Sequence, residues 1–418
     1  MQKYVWGLAA IAIMVIGFAL PSQAASFKVG DVDWSLGGSI RLDTGWQLSD
    51  YGDVPAGVND STTDFFLRNP TDSRINAKAV YGKTTAFAEL GLGAESDVSL
   101  RHLYVSYDMG GGNSLLVGRT WTCLAEDSPH QLLWDDPNLW GFGDLSAYRH
   151  DQIRFIHAQN KMTFQVAIED TKEAPLSIEN LLSRINTATG ADITIENFYT
   201  VEDPLPALVL SLGYDGGNFT VTPSLYVQTY KLKGNTDDID DVTVTSYAVA
   251  CDASVKLDPV TLSGEIWYGQ NLSLFELDLR NNATFEFGAP SPSEDSNDIE
   301  DVKSYGGWVQ LAANVKPGTL YVGAGYQQAK TELPDELVIP TVIDDEDVII
   351  TIQTEDKIST WGAFINYEFP IAKNFTITPE LAYFNYGKDA LKIWPGLKDG
   401  KNELGNETFI GVHFQYDF

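Results

Sequence analysis

The chain has 418 residues, 44% of them hydrophobic, and a formal net charge of −31. Such acidity argues against nucleic acid as a partner, because phosphate contacts need a basic patch. Its two cysteines, Cys123 and Cys251, are too few for a disulfide scaffold in an exported chain of this size, and neither lies in a CxxC or CxxCH motif.

The N-terminus has the pattern of a secretory signal peptide. Lys3 gives a positive start, an apolar run extends from Val5 to Leu20, and small residues precede a cleavage position after Ala24. We therefore predict that residues 1–24 are removed and that residues 25–418 form one domain. No other apolar run approaches the length of a membrane-spanning helix.

From Trp34 onward the chain repeats short segments in which apolar and polar residues alternate. A period of two is typical of β-strands with one apolar and one polar face. We predict sixteen such strands, over residues 34–47, 74–81, 84–92, 98–107, 114–120, 151–158, 162–169, 207–214, 219–230, 242–257, 260–270, 302–315, 319–329, 358–369, 375–386 and 407–418. Pro223 and Pro379 fall inside two of them, and we expect both near the rim, because proline removes a ladder hydrogen bond.

The connections between these strands alternate between short turns and mostly long loops. All long loops therefore lie at one end, and an even strand count places both termini at the other. The last strand presents Ile410, Val412, Phe414, Tyr416 and Phe418 on one face. These features predict an all-β fold, a transmembrane antiparallel up-and-down β-barrel of sixteen strands.

A barrel of sixteen strands is too wide for side chains to fill, so its lumen would hold water. The alternation directs a polar set of residues inward. On the first strands this set contains Arg41, Asp43, Arg74, Lys78, Glu89 and Arg154, and on the later strands it contains Asp252, Lys256, Glu265, Glu368 and Glu380. The alternation does not orient Arg101 or Arg119.

The third long loop, residues 121–149 and called L3 below, differs from the others. It combines acidic residues with apolar ones, among them Leu132, Leu133, Leu139 and Phe142. A loop that folds into the barrel and packs on its wall would need such apolar residues. Its acidic groups would then face the basic wall and filter solutes by charge and size. The alternatives are that L3 packs against a neighbouring subunit or caps the rim.

The whole mature chain resembles the trimeric porins of Gram-negative bacteria. The resemblance lies in the signal peptide, the sixteen strands, the terminal Phe418, the segment Val117-Gly118-Arg119-Thr120-Trp121 before L3 and the segment Arg149-His150-Asp151-Gln152-Ile153-Arg154 after it. In that family the third loop and a facing basic ladder form the pore constriction. Carried over, this implies Glu126, Asp127, Asp135, Asp136 and Asp144 on the loop, and Arg41, Arg74, Lys78, Arg119 and Arg154 on the wall.

The resemblance implies an outer-membrane location, a homotrimer, contact with lipid and lipopolysaccharide, and passive diffusion of small hydrophilic solutes through the channel. A substrate-specific channel, and a barrel acting as a sleeve or adhesin for a protein partner, remain alternatives. No histidine lies in a nucleophile motif such as GxSxG, so we predict no enzymatic activity. The acidic outer loops lack EF-hand spacing, and we expect neither a metal site nor a cofactor.

Overall fold

The computed structural model describes residues 25–51, 61–70, 72–93, 98–133, 138–145, 149–170, 199–202, 205–235, 241–272, 291–292, 299–330, 336–343, 346–353, 357–388 and 403–418. The proposed signal peptide, residues 1–24, lies outside this part of the chain. No helix within the described residues is long and apolar enough to cross a membrane.

The chain forms a closed antiparallel barrel of sixteen strands, as predicted from the sequence. We number them β1 to β16 along the chain, and β2 and β8 each consist of two segments. The strands are β1 Val32–Asp50, β2 Ser61–Arg68 and Arg74–Tyr81, β3 Thr84–Leu92, β4 Val98–Gly110, β5 Asn113–Trp121, β6 Arg149–Gln159, β7 Met162–Asp170, β8 Tyr199–Glu202 and Ala207–Asp215, β9 Phe219–Gly234, β10 Val242–Lys256, β11 Val260–Gln270, β12 Lys303–Val315, β13 Gly318–Lys330, β14 Lys357–Ala372, β15 Phe375–Lys388 and β16 Glu403–Asp417.

Strands β1 and β16 close the barrel. They pair from Ser39 with Asp417 to Asp50 with Asn406, so neither strand leaves a free edge. Phe418 exchanges two backbone hydrogen bonds with Gly38, at 3.0 and 3.1 Å. A short strand, Ala25–Val29, pairs with the start of β1 and continues along the same edge beyond Phe418. Both ends of the described chain therefore lie at the end of the barrel that carries the short hairpins, called the turn end below.

Several strand segments were not predicted, among them Ala25–Val29 and Tyr199–Glu202. Two others are longer. The first half of β2, Ser61–Arg68, pairs with β1, whereas the sequence pattern predicts a loop there. Its adjacent Phe65 and Phe66 conceal the alternation, because Phe65 is exposed outward while Phe66 packs inside the barrel. A separate hairpin, Glu336–Ile343 with Glu346–Gln353, occupies part of the long connection between β13 and β14.

The outer surface of the barrel is apolar. Ile266 is 72% exposed and Trp46 53% exposed, whereas the lumen-facing neighbours of these residues are mostly buried. Aromatic residues pair across strands near both ends, as in Tyr247–Tyr268 and Tyr305–Tyr326 at the loop end and Tyr416–Phe418 at the turn end. An apolar band between aromatic girdles is typical of barrels that contact lipid.

Pro223 and Pro379 lie where the ladder is interrupted. Pro223 and its neighbour Thr222 lie at a gap in the pairing of β8 with β9, between Ser211–Ser224 and Tyr214–Val221. Pro379 lies at a similar gap between β14 and β15. Because proline cannot donate a hydrogen bond, each ladder loses contact on that one side only, while the opposite neighbour remains paired.

Candidate functional site

Loop L3 folds into the barrel rather than outward. Its first residues after β5 are buried, with Cys123 and Leu124 at 0% exposure. Arg154 of β6 donates to the backbone carbonyl of Trp121, and its guanidinium also contacts Gln152 at 2.8 Å and Gln165 at 3.0 Å. Arg154 thereby fixes the point at which the chain leaves the wall.

The first part of L3, residues 122–133 and called the outward leg below, runs along the inner wall towards β15. The N–H of Ala125 donates to Ser224 Oγ on β9 at 3.4 Å, and the N–H of Glu126 donates to Asp252 Oδ2 on β10 at 3.1 Å. Further on, the N–H of His130 donates to the side-chain carbonyl of Gln310 on β12 at 2.5 Å. Backbone donors of the loop are thus satisfied by polar side chains of successive strands.

Glu380 of β15 holds the tip of L3. Its carboxylate accepts the backbone N–H groups of Leu132, at 2.9 and 3.2 Å, and of Leu133, at 2.7 Å. It also accepts side-chain amides from Gln131 at 3.1 Å and Asn366 at 2.8 Å. Glu380 is 4% exposed, so these donors replace the water that the carboxylate loses.

The second part of L3, residues 138–145 and called the return leg below, lies directly on β11 to β14. The N–H of Gly143 donates to Gln327 at 3.3 Å, and its carbonyl accepts the Trp267 indole N–H at 2.8 Å. The N–H of Leu145 donates to Glu265 at 2.9 Å. Gly325 and Gly362, which are paired across β13 and β14, have no side chains and therefore allow Phe142 to approach the strand backbone.

An apolar cluster under the tip joins loop and wall. It contains Leu133, Leu139 and Phe142 of L3 with Phe384 and Phe409 of β15 and β16. The Phe142 and Phe384 ring centroids are 4.7 Å apart. Burial of these side chains supplies the hydrophobic term that keeps L3 on the wall, and it accounts for the apolar residues that distinguished this loop in the sequence.

The first strands carry a set of arginines that are paired with carboxylates. Arg41 contacts Asp72, and Arg101 Nε lies 2.9 Å from Glu89, which is also 3.8 Å from Arg74 Nε. These side chains face the lumen on β1 to β4, whereas the hydrogen bonds of the described L3 residues beyond Trp121 reach β7 to β15. Among the predicted basic residues, Lys78 is exposed and Arg74 has 32% of its side chain exposed.

Two acidic residues of the loop face the lumen from the other side. Glu126 and Asp127 are exposed, and Glu126 accepts a hydrogen bond from Gln165 of β7 at 2.7 Å. The backbone of Glu126 is bonded to β10, eight strands away from β2 in a ring of sixteen. Strand order therefore places the backbone of this part of L3 across the lumen from Arg74 and Lys78.

Three of the other predicted residues have different surroundings from those expected. Arg119 shares the outer face of β5 with Val117, which is 46% exposed, and it is in register with the exposed Leu103 of β4. Asp144 is completely buried between L3 and the wall, so no solute can touch it. Arg154 is 7% exposed and binds the loop backbone. Asp135 and Asp136 lie outside the described residues.

The sequence predicts that the residues that position L3 face the lumen, but it does not predict that they bind the loop. Asp252, Glu265 and Glu380 alternate inward as predicted, yet each accepts a backbone N–H from the loop. The sequence pattern assigns no role to the glycines of the wall. A signal for the close approach of L3 is present in the inward-facing glycines at adjacent strand positions, such as Gly325 and Gly362.

Replacing Arg154 with methionine is expected to expose the root of L3. Burial raises the pKa of the Cys123 thiol to about 12, so this thiol should resist maleimide in the folded protein. In a Cys251→Ser background, Arg154→Met should make Cys123 reactive, because the Trp121 carbonyl keeps only the Gln152 side chain of its two side-chain donors and Gln152 loses its contact with the guanidinium. Arg119→Met is the matched control on the outer face, and equal labelling of both variants would contradict this role for Arg154.

The sequence matches no known family model and no curated protein. Solved structures are similar in fold. The outer membrane channel DcaP of Acinetobacter baumannii has 18% identity and a TM-score of 0.60, covering 94% of this chain and 100% of DcaP. OmpF of Salmonella typhi, in complex with daunomycin, has 11% identity and a TM-score of 0.53, covering 94% and 100%.

In-vitro folded OmpT of Vibrio cholerae, described as a trimer form, has 10% identity and a TM-score of 0.51, covering 93% of this chain and 99% of OmpT. At these identities the similarity concerns the fold. The chain has the sixteen-stranded barrel fold of the outer-membrane porins.

Proposed function

We propose that this porin-fold barrel forms a water-filled channel in the outer membrane of a Gram-negative bacterium, through which small hydrophilic solutes and ions diffuse passively. One observation carries the proposal. The barrel is apolar outside and polar inside, and in the described part of the chain L3 is bonded to the wall from β7 to β15. We propose that the passage lies beside the arginines of β1 to β4, away from the strands that bind the described part of L3.

The charges on the two sides of this passage form the proposed constriction. Arg74 and Lys78 contribute positive charge, and Glu126 and Asp127 contribute negative charge from the loop. Arg41, although paired with Asp72, adds to the basic wall. Opposite charges facing each other orient dipolar solutes and favour neither ion sign strongly, so we propose weak ion selectivity.

The proposal is tested by conductance across a planar bilayer. The refolded protein should give ohmic steps, and absence of conductance would refute a channel. Arg74→Gln should shift the reversal potential in a salt gradient towards cation preference, because one exposed positive charge is removed. Glu126→Gln should shift it in the opposite direction. Shifts of the same sign would place these two residues outside the constriction.

The other functional classes have less support. The described part of L3 fills the lumen beside β7 to β15 with a packed apolar cluster, which argues against a sleeve around a protein partner. The five histidines contact Thr120, Glu368, Glu169, Asn113 and Asp43, none of them a serine or cysteine nucleophile. We therefore propose no catalytic role, and we propose transport without a cofactor.

The outer face of β2 to β5 is suited to contact between copies of the chain. Ala77, Ala79, Ala86 and Ala88 form a shallow depression there, bordered by Val105 and other apolar residues. Small side chains allow close approach of a second barrel in lipid. We propose a homotrimer, in keeping with the trimer form of OmpT, with lipid and lipopolysaccharide around the remaining surface.

A further inference from the structure

A recess of about 290 Å³ opens into the lumen near the turn end. It lies between the outward leg of L3, at Asp127 and Ser128, and the wall formed by β9 to β12. Ser254, Ser263 and Gln310 occupy neighbouring inward positions of β10, β11 and β12, in one row across the sheet. The volume is close to the lower limit of ordinary small-ligand sites.

The recess carries one negative and one positive charge. Asp127 and Lys256 both line it, and both are exposed. Neither forms an ion pair with a side chain of the described residues. The basic wall is different, because Arg41, Arg74 and Arg101 all have carboxylate partners. The recess therefore presents two opposite charges that remain available to a solute.

The other lining groups are small donors and acceptors. Ser263 Oγ donates to Ser254 Oγ at 3.0 Å, which leaves the Ser254 hydroxyl hydrogen available. The side-chain carbonyl of Gln310 is occupied by His130, and its amide group remains free to donate. Trp308 also borders the recess but is only 4% exposed, so it offers little ring face for stacking on a sugar.

We propose that this recess binds small zwitterions, free α-amino acids, with the ammonium group at Asp127 and the carboxylate at Lys256. The inference rests on the proposed channel function and names the class of solute that its turn-end vestibule retains. The opposite charges favour a solute that carries both signs over a sugar, which carries neither. Binding must be weak, because a solute held too tightly would not leave the channel.

The test is single-channel recording with L-threonine as the probe. L-threonine should interrupt the current in a concentration-dependent manner. N-acetyl-L-threonine, which lacks the ammonium charge, and L-threonine methyl ester, which lacks the carboxylate, should each bind about fivefold more weakly, as expected for loss of one exposed charge contact. Glucose is the uncharged control and should interrupt the current least.

Substitutions identify the recess as the site. Asp127→Asn should abolish the preference for L-threonine over its N-acetyl derivative, and Lys256→Gln should abolish the preference over the methyl ester. The double exchange Asp127→Lys with Lys256→Asp should restore binding of L-threonine, because both charges are present again in reversed order. This rescue separates charge recognition from general damage to the vestibule.

Two failures are distinguishable. A protein that conducts ions but shows equal interruption by glucose and L-threonine, or no change in the substituted variants, would overturn the zwitterion site and leave the channel intact. A protein without ohmic conductance would instead refute the proposed function itself.

Discussion

Replacing Glu380 with alanine is expected to detach the tip of L3 and raise the single-channel conductance. The carboxylate accepts the backbone N–H groups of Leu132 and Leu133 as well as two side-chain amides. Without it these donors are buried and unpaired, at a cost of about 3 kcal/mol. The tip can recover hydrogen bonds only from water in the open lumen, so the passage should widen and its current should fluctuate more.

Glu407→Ala is the matched control for this change. Glu407 is a carboxylate of β16 with the same 4% exposure, but its partners are Gln47, Ser49 and Tyr386, all on the wall. Its loss should lower the stability of the barrel without altering conductance. Glu380→Gln keeps one acceptor oxygen and should fall between the native protein and Glu380→Ala. Unchanged conductance in a correctly folded Glu380→Ala protein would remove the loop tip from the constriction.

The architecture was predictable because the physical constraint is local. In strands such as β11, most outward residues are apolar, as Ile266, and most inward residues are polar, as Glu265, and the sequence alternates accordingly. The alternation of short and long connections predicted that consecutive strands are neighbours in an up-and-down barrel. The first half of β2 was missed because Phe66 is an apolar residue that faces inward, where the cluster beneath L3 provides an apolar surface.

The site was predictable only in part, because alternation reports the face of a residue and not what covers it. Glu380 and Lys256 both face inward, yet one is bound to the loop and the other is exposed at the turn end. The orientation of Arg119 required the register of β5 against β4, which pairs it with outward-facing Leu103. Long-range register of this kind depends on the whole sheet and has no short sequence signal.

Gly325→Ala is the second change with a large expected effect, and it acts on the return leg of L3. A Cβ atom at Gly325 would lie 2.3 Å from the Phe142 carbonyl oxygen, which belongs to the backbone and cannot rotate away. The loop would have to rise from β13, which would break the hydrogen bonds of Gly143 with Gln327 and Trp267. Overpacking of this kind costs about 1–3 kcal/mol. We expect higher conductance with a barrel of unchanged strand content, checked by bilayer recording and circular dichroism.

Gly213→Ala on β8 distinguishes this effect from a general cost of replacing strand glycines. The nearest atom to a Cβ there is 3.7 Å away, so the alanine fits without displacement and the conductance should stay at the native value. The combination of Gly325→Ala with Glu380→Ala is the most informative variant. If L3 is held as one cooperative unit, either change already frees it, and the double variant should exceed the larger single effect only slightly. Additive increases would mean instead that the tip and the return leg detach independently, with each narrowing the channel over a separate part of its length.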